Sequence, residues 1–371
     1  MTLAHAIGWP FTGAPVDLDR CEGRGDDGRE DWREAWRHAL VAHPSARPAR
    51  VIAQHRSGYL VTEAPAGGYV VESLPEWQLS KVAADARAVV GDWVLVEGQA
   101  DAQPRIVTLL PRYSAIKRAA AGEQYRQQLI AANVDTVFVV CGLDADFNLR
   151  RIERYLLLIA GTGVTPVVVL TKADQHHDQI AAAQRALAGI AAQQVATVAL
   201  NAKDAAAVAT ALSPWLQPGR TAVLVGSSGA GKSTLTNTLL GEERMKTSAV
   251  RTHDARGRHT TTHRALIALP TGACLIDTPG MRELKPTGEE DLADSYADIQ
   301  TLASDCRFRD CRHISEPGCA VRAAIEAGAL DPARYAHYLK LRDEVADAAD
   351  QRATRQAQTA QARVHSRRKP C

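Results

Sequence analysis

The spacing of apolar positions changes several times along the chain, and each change marks a different kind of structure. In DWREAWRHALVA (31–42), Trp32, Trp36 and Leu40 recur at i, i+4 and i+8, which places them on one face of a short helix. Between about 48 and 111 the period falls to two. PARVIAQHRSGYLVTEAPAGGYVVES reads as two alternating strands around a Gly-containing connection, and AVVGDWVLVEG and QPRIVTLL read as two more. Short strands with no helix between them predict a small barrel; one that binds oligonucleotides fits the length, as do other small barrels. Gly91 and Asp92, before WVLVE, are expected to form a tight corner.

From 134 onward, apolar β-branched runs alternate with helical stretches. VDTVFVV is followed by RRIERYLLLIA, TPVVVL by IAAAQRALAGIAA, and VATVAL and TAVLVG by STLTNTLLG, ALIALP and ACLIDTPG. That alternation predicts a parallel sheet covered on both faces. Beyond 285 the pattern is helical again, most clearly in DPARYAHYLKLRDEVADAAD, with Asp331 as N-cap and Pro332 as first helical residue. The expected division is an N-terminal extension (1–45), a barrel (46–118), a sheet domain (119–285), a helical cysteine-bearing domain (286–350) and a basic tail (351–371).

Composition changes this picture little. The 371 residues are 46% apolar and 23% charged with a net charge of +2, ordinary for a globular protein. No run approaches the roughly 18 apolar residues of a membrane span, and MTLAHAIGWPFTG lacks a basic head before an apolar block, so a cytoplasmic protein is expected. The tail QRATRQAQTAQARVHSRRKPC holds six Arg and Lys and no acid, which suits either nucleic-acid contact or a solvated terminus. Arg105, Arg112, Lys117 and Arg118 at the barrel exit are open to the same two readings.

The chemistry begins with GSSGAGKST at 226–234, which follows an apolar strand and opens a helix. Gly226, Gly229 and Gly231, with Ser227, Ser228 and Ala230 between them, let successive backbone N–H groups turn inward on phosphates. Lys232 is expected to reach the β- and γ-phosphates, and Ser233, followed by Thr234, to ligate Mg²⁺. DTPG at 277–280 ends another apolar strand, so Asp277 belongs in the Mg²⁺ shell and the Gly280 amide beside the γ-phosphate. Between them RGRHTTTH offers a Thr oxygen for Mg²⁺, from Thr261 first or Thr260. LTKAD (170–174) matches the guanine-reading tetrad, with Thr171 where Asn is commoner, the Lys172 stem along the base, and Asp174 accepting N1–H and N2–H. LNAKD (200–204) ends the next strand, where Asn201 and the Ala202 amide lie near the guanine O6 position. Met281 occupies the place where many GTPases use Gln to orient water, so slow intrinsic hydrolysis is expected. His259, or a group from a partner, is the candidate for that task.

The order is base loops, phosphate loop, Thr loop, DxxG, whereas the usual order places the base loops last. Joining the natural ends of the usual sheet near 205–220 and opening it after DxxG produces this order, which defines a circularly permuted GTPase sheet. Separately, CRFRDCRHISEPGC spaces Cys306, Cys311, His313 and Cys319 as C-x₄-C-x-H-x₅-C, suited to one closed structural zinc site.

On these motifs, together with LPRYSAIKRAAAGEQYRQQLIAANVDTVFVV, the chain over roughly 46–350 resembles the ribosome small-subunit-dependent GTPases, the RsgA or YjeQ family. The resemblance implies an α/β fold. A circularly permuted P-loop GTPase domain is flanked by an N-terminal oligonucleotide-binding β-barrel and a C-terminal, mostly helical zinc domain. It also implies late maturation of the small ribosomal subunit, contact with its rRNA, and GTP hydrolysis to GDP stimulated by that subunit. The family's loop histidine corresponds to His259. A monomer with Zn and Mg as ions and GTP or GDP as ligand is expected. The alternative is a nucleotide-gated ribosome-binding module in which hydrolysis is only a slow timer.

Overall fold

The structure is a computed structural model, and it describes residues 7–8, 30–55, 58–79, 82, 84–100, 103–119, 127–191, 195–243, 265–277, 292 and 296–367. The Thr loop, with Thr260, Thr261 and His259, lies outside the described residues, as do Gly280 and Met281. The chain clusters into two compact units. Unit 1 holds residues 1–117, 128–148 and 162–283; unit 2 holds 118–127, 149–161 and 284–371.

In unit 1 the helix α1 (Glu30–Ala42) precedes five strands, β1 (Arg47–His55), β2 (Gly58–Thr62), β3 (Tyr69–Val71), β4 (Trp93–Glu97) and β5 (Arg105–Leu109). They pair antiparallel in the order β3-β2-β1-β4-β5. The outer strands meet through a parallel bridge between Glu72 and Arg105, with Glu72 N–H donating to the Pro104 carbonyl at 2.9 Å and Ile106 N–H to the Glu72 carbonyl at 3.0 Å. That bridge closes the sheet on itself, consistent with the oligonucleotide-binding barrel. Val51, Val61, Val71, Trp77, Val94, Val96 and Ile106 fill its interior. The apolar face of α1 docks as its spacing predicts. Trp36 is fully buried, packs edge-on to Trp93, and donates its Nε1–H to the Pro111 carbonyl at 2.6 Å.

Gly91 forms the expected corner with φ +94°, and a Cβ there would meet the Ala132 carbonyl oxygen at 2.2 Å. Asp92 is fully buried; Arg112 grips both its oxygens at 2.8 and 2.7 Å, and Val89 N–H donates to it at 2.7 Å. Burial pushes the Asp92 carboxyl above its ordinary value despite Arg112. Arg112 is therefore engaged by Asp92 and by the carbonyls of Asp85 and Arg87, and is not a free cation for RNA. Arg50 on β1 is also fully buried and donates to the carbonyls of Gly91, Ile7 and Asn133 at 3.2, 2.7 and 3.0 Å. It joins the barrel to the chain entering the next sheet.

A two-stranded ribbon of β6 (Ala115–Ala119) and β7 (Gln127–Ala132) leads into that sheet. Its strands are β8 (Thr136–Gly142), β9 (Thr165–Thr171), β10 (Ala196–Ala199), β11 (Thr221–Val225), β12 (Ala265–Ala268) and β13 (Cys274–Asp277). The order is β10-β9-β8-β11-β13-β12, parallel except for β12. The helices α3 (His177–Ala186), α4 (Ala188–Ala191), α5 (Ala205–Leu212) and α6 (Lys232–Leu240) connect the strands. The chain moves outward from β8 to β10, then returns to the other side of β8 as β11. That reversal is a topological switch point, where open α/β sheets bind ligands beyond the carboxyl ends of their strands.

Unit 2 contains α2 (Leu149–Ile159), α7 (Ala297–Ser304), α8 (Ala320–Glu326) and α9 (Pro332–Arg367). The sequence reading assigns α2 to the sheet domain, but it clusters with the C-terminal helices: Leu157 shares a core with Tyr296, Ile299, Val321, Leu341 and Val345. Glu153 of α2, nearly buried, faces Arg150, Arg334 and His337. Burial opposes its charge, yet hydrogen bonds from His337 and Arg150 and the Arg334 cation hold its carboxyl below the ordinary value. Asp331 caps α9 as expected, accepting from Ala333 N–H at 2.9 Å, and the helix runs on past 350 to Arg367. No helix among the described residues is long and apolar enough to cross a membrane.

Gly91→Ala adds a clash to a strained φ, whereas Gly67→Ala, at φ +84° with nothing within 4 Å, adds only the strain. Gly91→Ala is expected to lower unfolding stability by about 1–3 kcal/mol more than Gly67→Ala. Equal denaturation midpoints for the two variants would remove the close backbone approach as a constraint.

Candidate nucleotide and metal sites

Five parallel strands end on one edge of the sheet, at Gly142, Thr171, Ala199, Val225 and Asp277. The phosphate loop leaves β11 there. Gly226, at φ +145°, turns so close to β8 that a Cβ would meet the Val140 carbonyl oxygen at 2.1 Å. Gly229 and Gly231 take φ +83° and +93°, and Gly231 is the N-cap of α6. Such turns let successive backbone amides and a helix N-terminus face one anion. Lys232 Nζ donates to the carbonyls of Gly226 at 2.9 Å and Ser227, which holds the ammonium against its own loop. Ala230 is buried beneath the loop, while Ser228, Gly229 and Ser233 are exposed. Thr234, in the first turn of α6, and Asp277, closing β13, are half-buried on this same side.

The loop after β9 carries the base tetrad. Thr171 is fully buried, and its hydroxyl donates to the Ala230 carbonyl at 2.7 Å, so this side chain braces the phosphate loop. Lys172 adopts φ +61°, uncommon for a side-chain-bearing residue and often found at functional positions. Asp174 is exposed at the loop tip. In the neighbouring loop, Asn201 Oδ1 accepts Lys203 N–H at 2.9 Å, and the Ala202 carbonyl accepts the Thr238 hydroxyl of α6 at 2.6 Å. The structure thus gathers both base loops, the phosphate loop and Asp277 at a single edge.

Two carboxylates at this edge have no motif to announce them. Asp144 Oδ2 accepts Lys172 Nζ at 2.6 Å, and Asp146 Oδ1 accepts the Ser227 hydroxyl at 2.5 Å. Partial burial opposes the Asp144 charge, but the Lys172 ammonium and the Asp146 amide hold its carboxyl below the ordinary value. Their signal in sequence was position alone, directly after the strand TVFVVCG.

In unit 2, Cys306 follows α7, and Cys319 caps α8 by accepting Arg322 N–H at 3.5 Å. Cys306, Cys311, His313 and Cys319 bring one ligand atom each within 4.8 Å of one another. Cys306 and Cys319 sulfurs are 3.9 Å apart, and His313 Nδ1 is 3.4 Å from each. A tetrahedral zinc with Zn–S about 2.3 Å and Zn–N about 2.0 Å requires edges of about 3.8 Å and about 3.5 Å, so the donor set fits that ion. Glu316, another residue the sequence reading passed over, accepts N–H groups of Arg312, Ile314 and Ser315 at 3.0, 2.9 and 3.0 Å. Those backbone hydrogen bonds lower its carboxyl to about 2 and tie down the turn in which His313 sits at φ +60°.

A six-stranded sheet with a phosphate loop and guanine-type tetrad on opposite sides of β8, in permuted order, defines a circularly permuted P-loop GTPase. The family model described as RsgA GTPase matches residues 109–287. The chain is 62% identical over 355 residues to a protein of Xanthomonas campestris pv. campestris (strain B100) named small ribosomal subunit biogenesis GTPase RsgA, covering 95% of this chain and 92% of that one. A namesake from Xanthomonas oryzae pv. oryzae (strain PXO99A) matches with the same identity and coverage over 356 residues. Among solved structures, YjeQ from Thermotoga maritima aligns with TM-score 0.57 at 23% identity, over 81% of this chain and 98% of that one. YloQ, described as a circularly permuted GTPase, aligns with TM-score 0.55 at 23% identity, over 82% and 96%; both likenesses concern the fold. The chain belongs to the RsgA family of GTPases.

Thr171→Val keeps the shape and removes the hydroxyl, leaving the Ala230 carbonyl without its 2.7 Å donor. A loss of about 1–3 kcal/mol in unfolding free energy is expected. An unchanged urea midpoint would dispose of the brace.

Proposed function

We propose that this chain binds GTP with Mg²⁺ at the carboxyl edge of the sheet and hydrolyses it to GDP and phosphate while bound to the small ribosomal subunit. In doing so it assists a late step in maturation of that subunit. The observation that carries this reading is 62% identity over 95% of the chain to relatives named for that task. We place the protein in the cytoplasm, as a monomer that contacts rRNA.

In the proposed complex, Asp174 accepts guanine N1–H and N2–H, which adenine does not supply. The Lys172 stem lies along the base, and the Ala202 amide, with Asn201 shaping its turn, faces O6. Thr171 acts from behind, through Ala230. Amides of Gly226, Ser227, Ser228, Gly229, Gly231 and Thr234 line the phosphates, and Lys232 neutralises the β- and γ-oxygens. Ser233, Asp277 and Thr261 would hold the magnesium; all three are hard oxygen donors, the set this ion takes. When bound, the ion would supply positive charge that offsets the negative charge developing on the phosphates. The Gly280 amide faces the γ-phosphate and His259 orients the attacking water; for Thr261, Gly280 and His259 this assignment rests on sequence position. Met281 carries a thioether that cannot orient water, which fits an enzyme whose rate depends on its partner.

Cys306, Cys311, His313 and Cys319 would hold one structural zinc, which cross-links the turn between α7 and α8. In the barrel, Arg105 is exposed, and it and the basic end of α9 are the cations offered to rRNA.

The test is phosphate release with and without purified small subunits, alongside co-sedimentation with GDP, a non-hydrolysable GTP analogue or no nucleotide. Stimulation by the subunits, lost in Lys232→Ala, is expected; an unstimulated rate would defeat the proposal. Asp174→Asn should weaken GDP about a hundredfold or more while improving xanthosine diphosphate, because the new amide donates where the carboxylate accepted. Metal analysis should find one zinc per chain, and stripping it with a strong chelator should lower the melting temperature.

A further inference from the structure

Strand β8 lies between β9 and β11, yet it carries no nucleotide motif of its own. The 143–147 segment after it reaches both neighbouring loops. On one side Asp144 Oδ2 accepts Lys172 Nζ at 2.6 Å, 28 residues away in sequence. On the other, Asp146 Oδ1 accepts the Ser227 hydroxyl at 2.5 Å, across 81 residues. The two carboxylates are fixed relative to each other. Asp146 N–H donates to Asp144 Oδ1 at 3.2 Å, and Asp146 Oδ2 accepts Gly142 N–H at 3.1 Å. Leu143 N–H donates to the Thr171 carbonyl at 3.0 Å, which locks the segment to the end of β9. Glycine at 142 is what leaves room for the ion pair. A Cβ there would come within 2.5 Å of Asp144 Oδ1 and 3.2 Å of Lys172 Nζ.

We infer that the 143–147 loop is a further positioning element of the nucleotide site, in which Asp144 sets the pose of Lys172 and Asp146 that of Ser227. The inference rests on the guanine-nucleotide reading of this site. Its physical basis is preorganisation. A lysine stem carries about 2 kcal/mol of rotamer entropy, which binding would otherwise have to remove as the stem settles on the base. Asp144 anchors the ammonium beforehand, so less ordering remains for the ligand to impose. The effect falls on base packing and is blind to the base's own hydrogen bonds. GDP and inosine diphosphate, which lacks the 2-amino group, are therefore affected alike. Asp146 acts in the same manner on the phosphate loop, through the hydroxyl of Ser227.

The experiment measures Kd for GDP and for inosine diphosphate by competition with a fluorescent GDP, using the full chain. Asp144→Ala should raise both constants by the same factor, about three- to tenfold. In a Lys172→Ala background the same change should cost less than about twofold, the non-additivity expected of a residue acting through its partner. Asp146→Ala and Ser227→Ala should show the same non-additivity. Asp144→Glu should recover part of the loss. Nucleotide-free melting temperatures identify a variant that fails to fold, and Asp144→Asn, which keeps the shape and removes the charge, then replaces Asp144→Ala. An unchanged Kd for GDP, or full additivity with Lys172→Ala, overturns the inference. A wild-type chain that binds ADP as well as GDP would instead remove the reading beneath it.

Discussion

A single hydrogen bond, from the buried Thr171 hydroxyl to the Ala230 carbonyl, ties the loop proposed to read a base to the loop proposed to cradle phosphates. Its partners are 59 residues apart, and they meet because β9 and β11 flank the same strand, β8. The strand order fixes which loops share an edge, and the side chains then fix how those loops stand. Neither a guanine tetrad nor a phosphate loop is a site alone. Nucleotide recognition requires both held at a fixed separation, and in low-dielectric surroundings a satisfied hydrogen bond between buried groups holds such a separation firmly. Permutation alters where the chain begins the sheet but not which strands are neighbours, so the chemistry at the edge is compatible with either order.

The barrel is joined to this sheet by polar groups in a dry place. Arg50 gives its guanidinium to carbonyls on three separate segments, at Ile7, Gly91 and Asn133, and stacks over Trp93. A buried cation is costly to strand, so each of those backbone segments is constrained by the others. Gly91 permits the approach, because any side chain there would strike the Ala132 carbonyl. In unit 2 a comparable network centres on Glu153, with Arg334 also bridging to Asp298 and lying over the Tyr296 ring. A carboxylate held by that many donors favours its charged form, and the contribution it makes at neutral pH is lost as pH falls through its lowered titration.

Much of this was legible in the sequence, and the reasons are local. Period-two and period-3.6 apolar patterns follow from backbone geometry, so the strands of the barrel and sheet and the Trp32–Trp36 face of α1 could be read directly. GSSGAGKST is recognisable because only glycine tolerates the backbone turns at 226, 229 and 231. The cysteine cluster is compact in sequence, so its spacing alone implied the geometry later found at 3.4–3.9 Å. Even the permutation was available, since it is a statement about order.

What only the tertiary structure decided are pairings between residues far apart. Arg112 read as a free surface cation until Asp92 was found buried beneath it, and α2 read as part of the sheet domain until Leu157 and Glu153 were found in the core and ion-pair network of the helical unit. Asp144 and Asp146 drew no reading at all, because nothing in LDADF names Lys172 or Ser227 as partners. The sequence by itself determined which elements form, in what order, and which loops are the candidates for nucleotide and metal chemistry. Tertiary structure decided which side chains brace those loops. The reason is physical: local pattern is set by bonds along the chain, whereas a brace exists only once strands remote in sequence lie side by side.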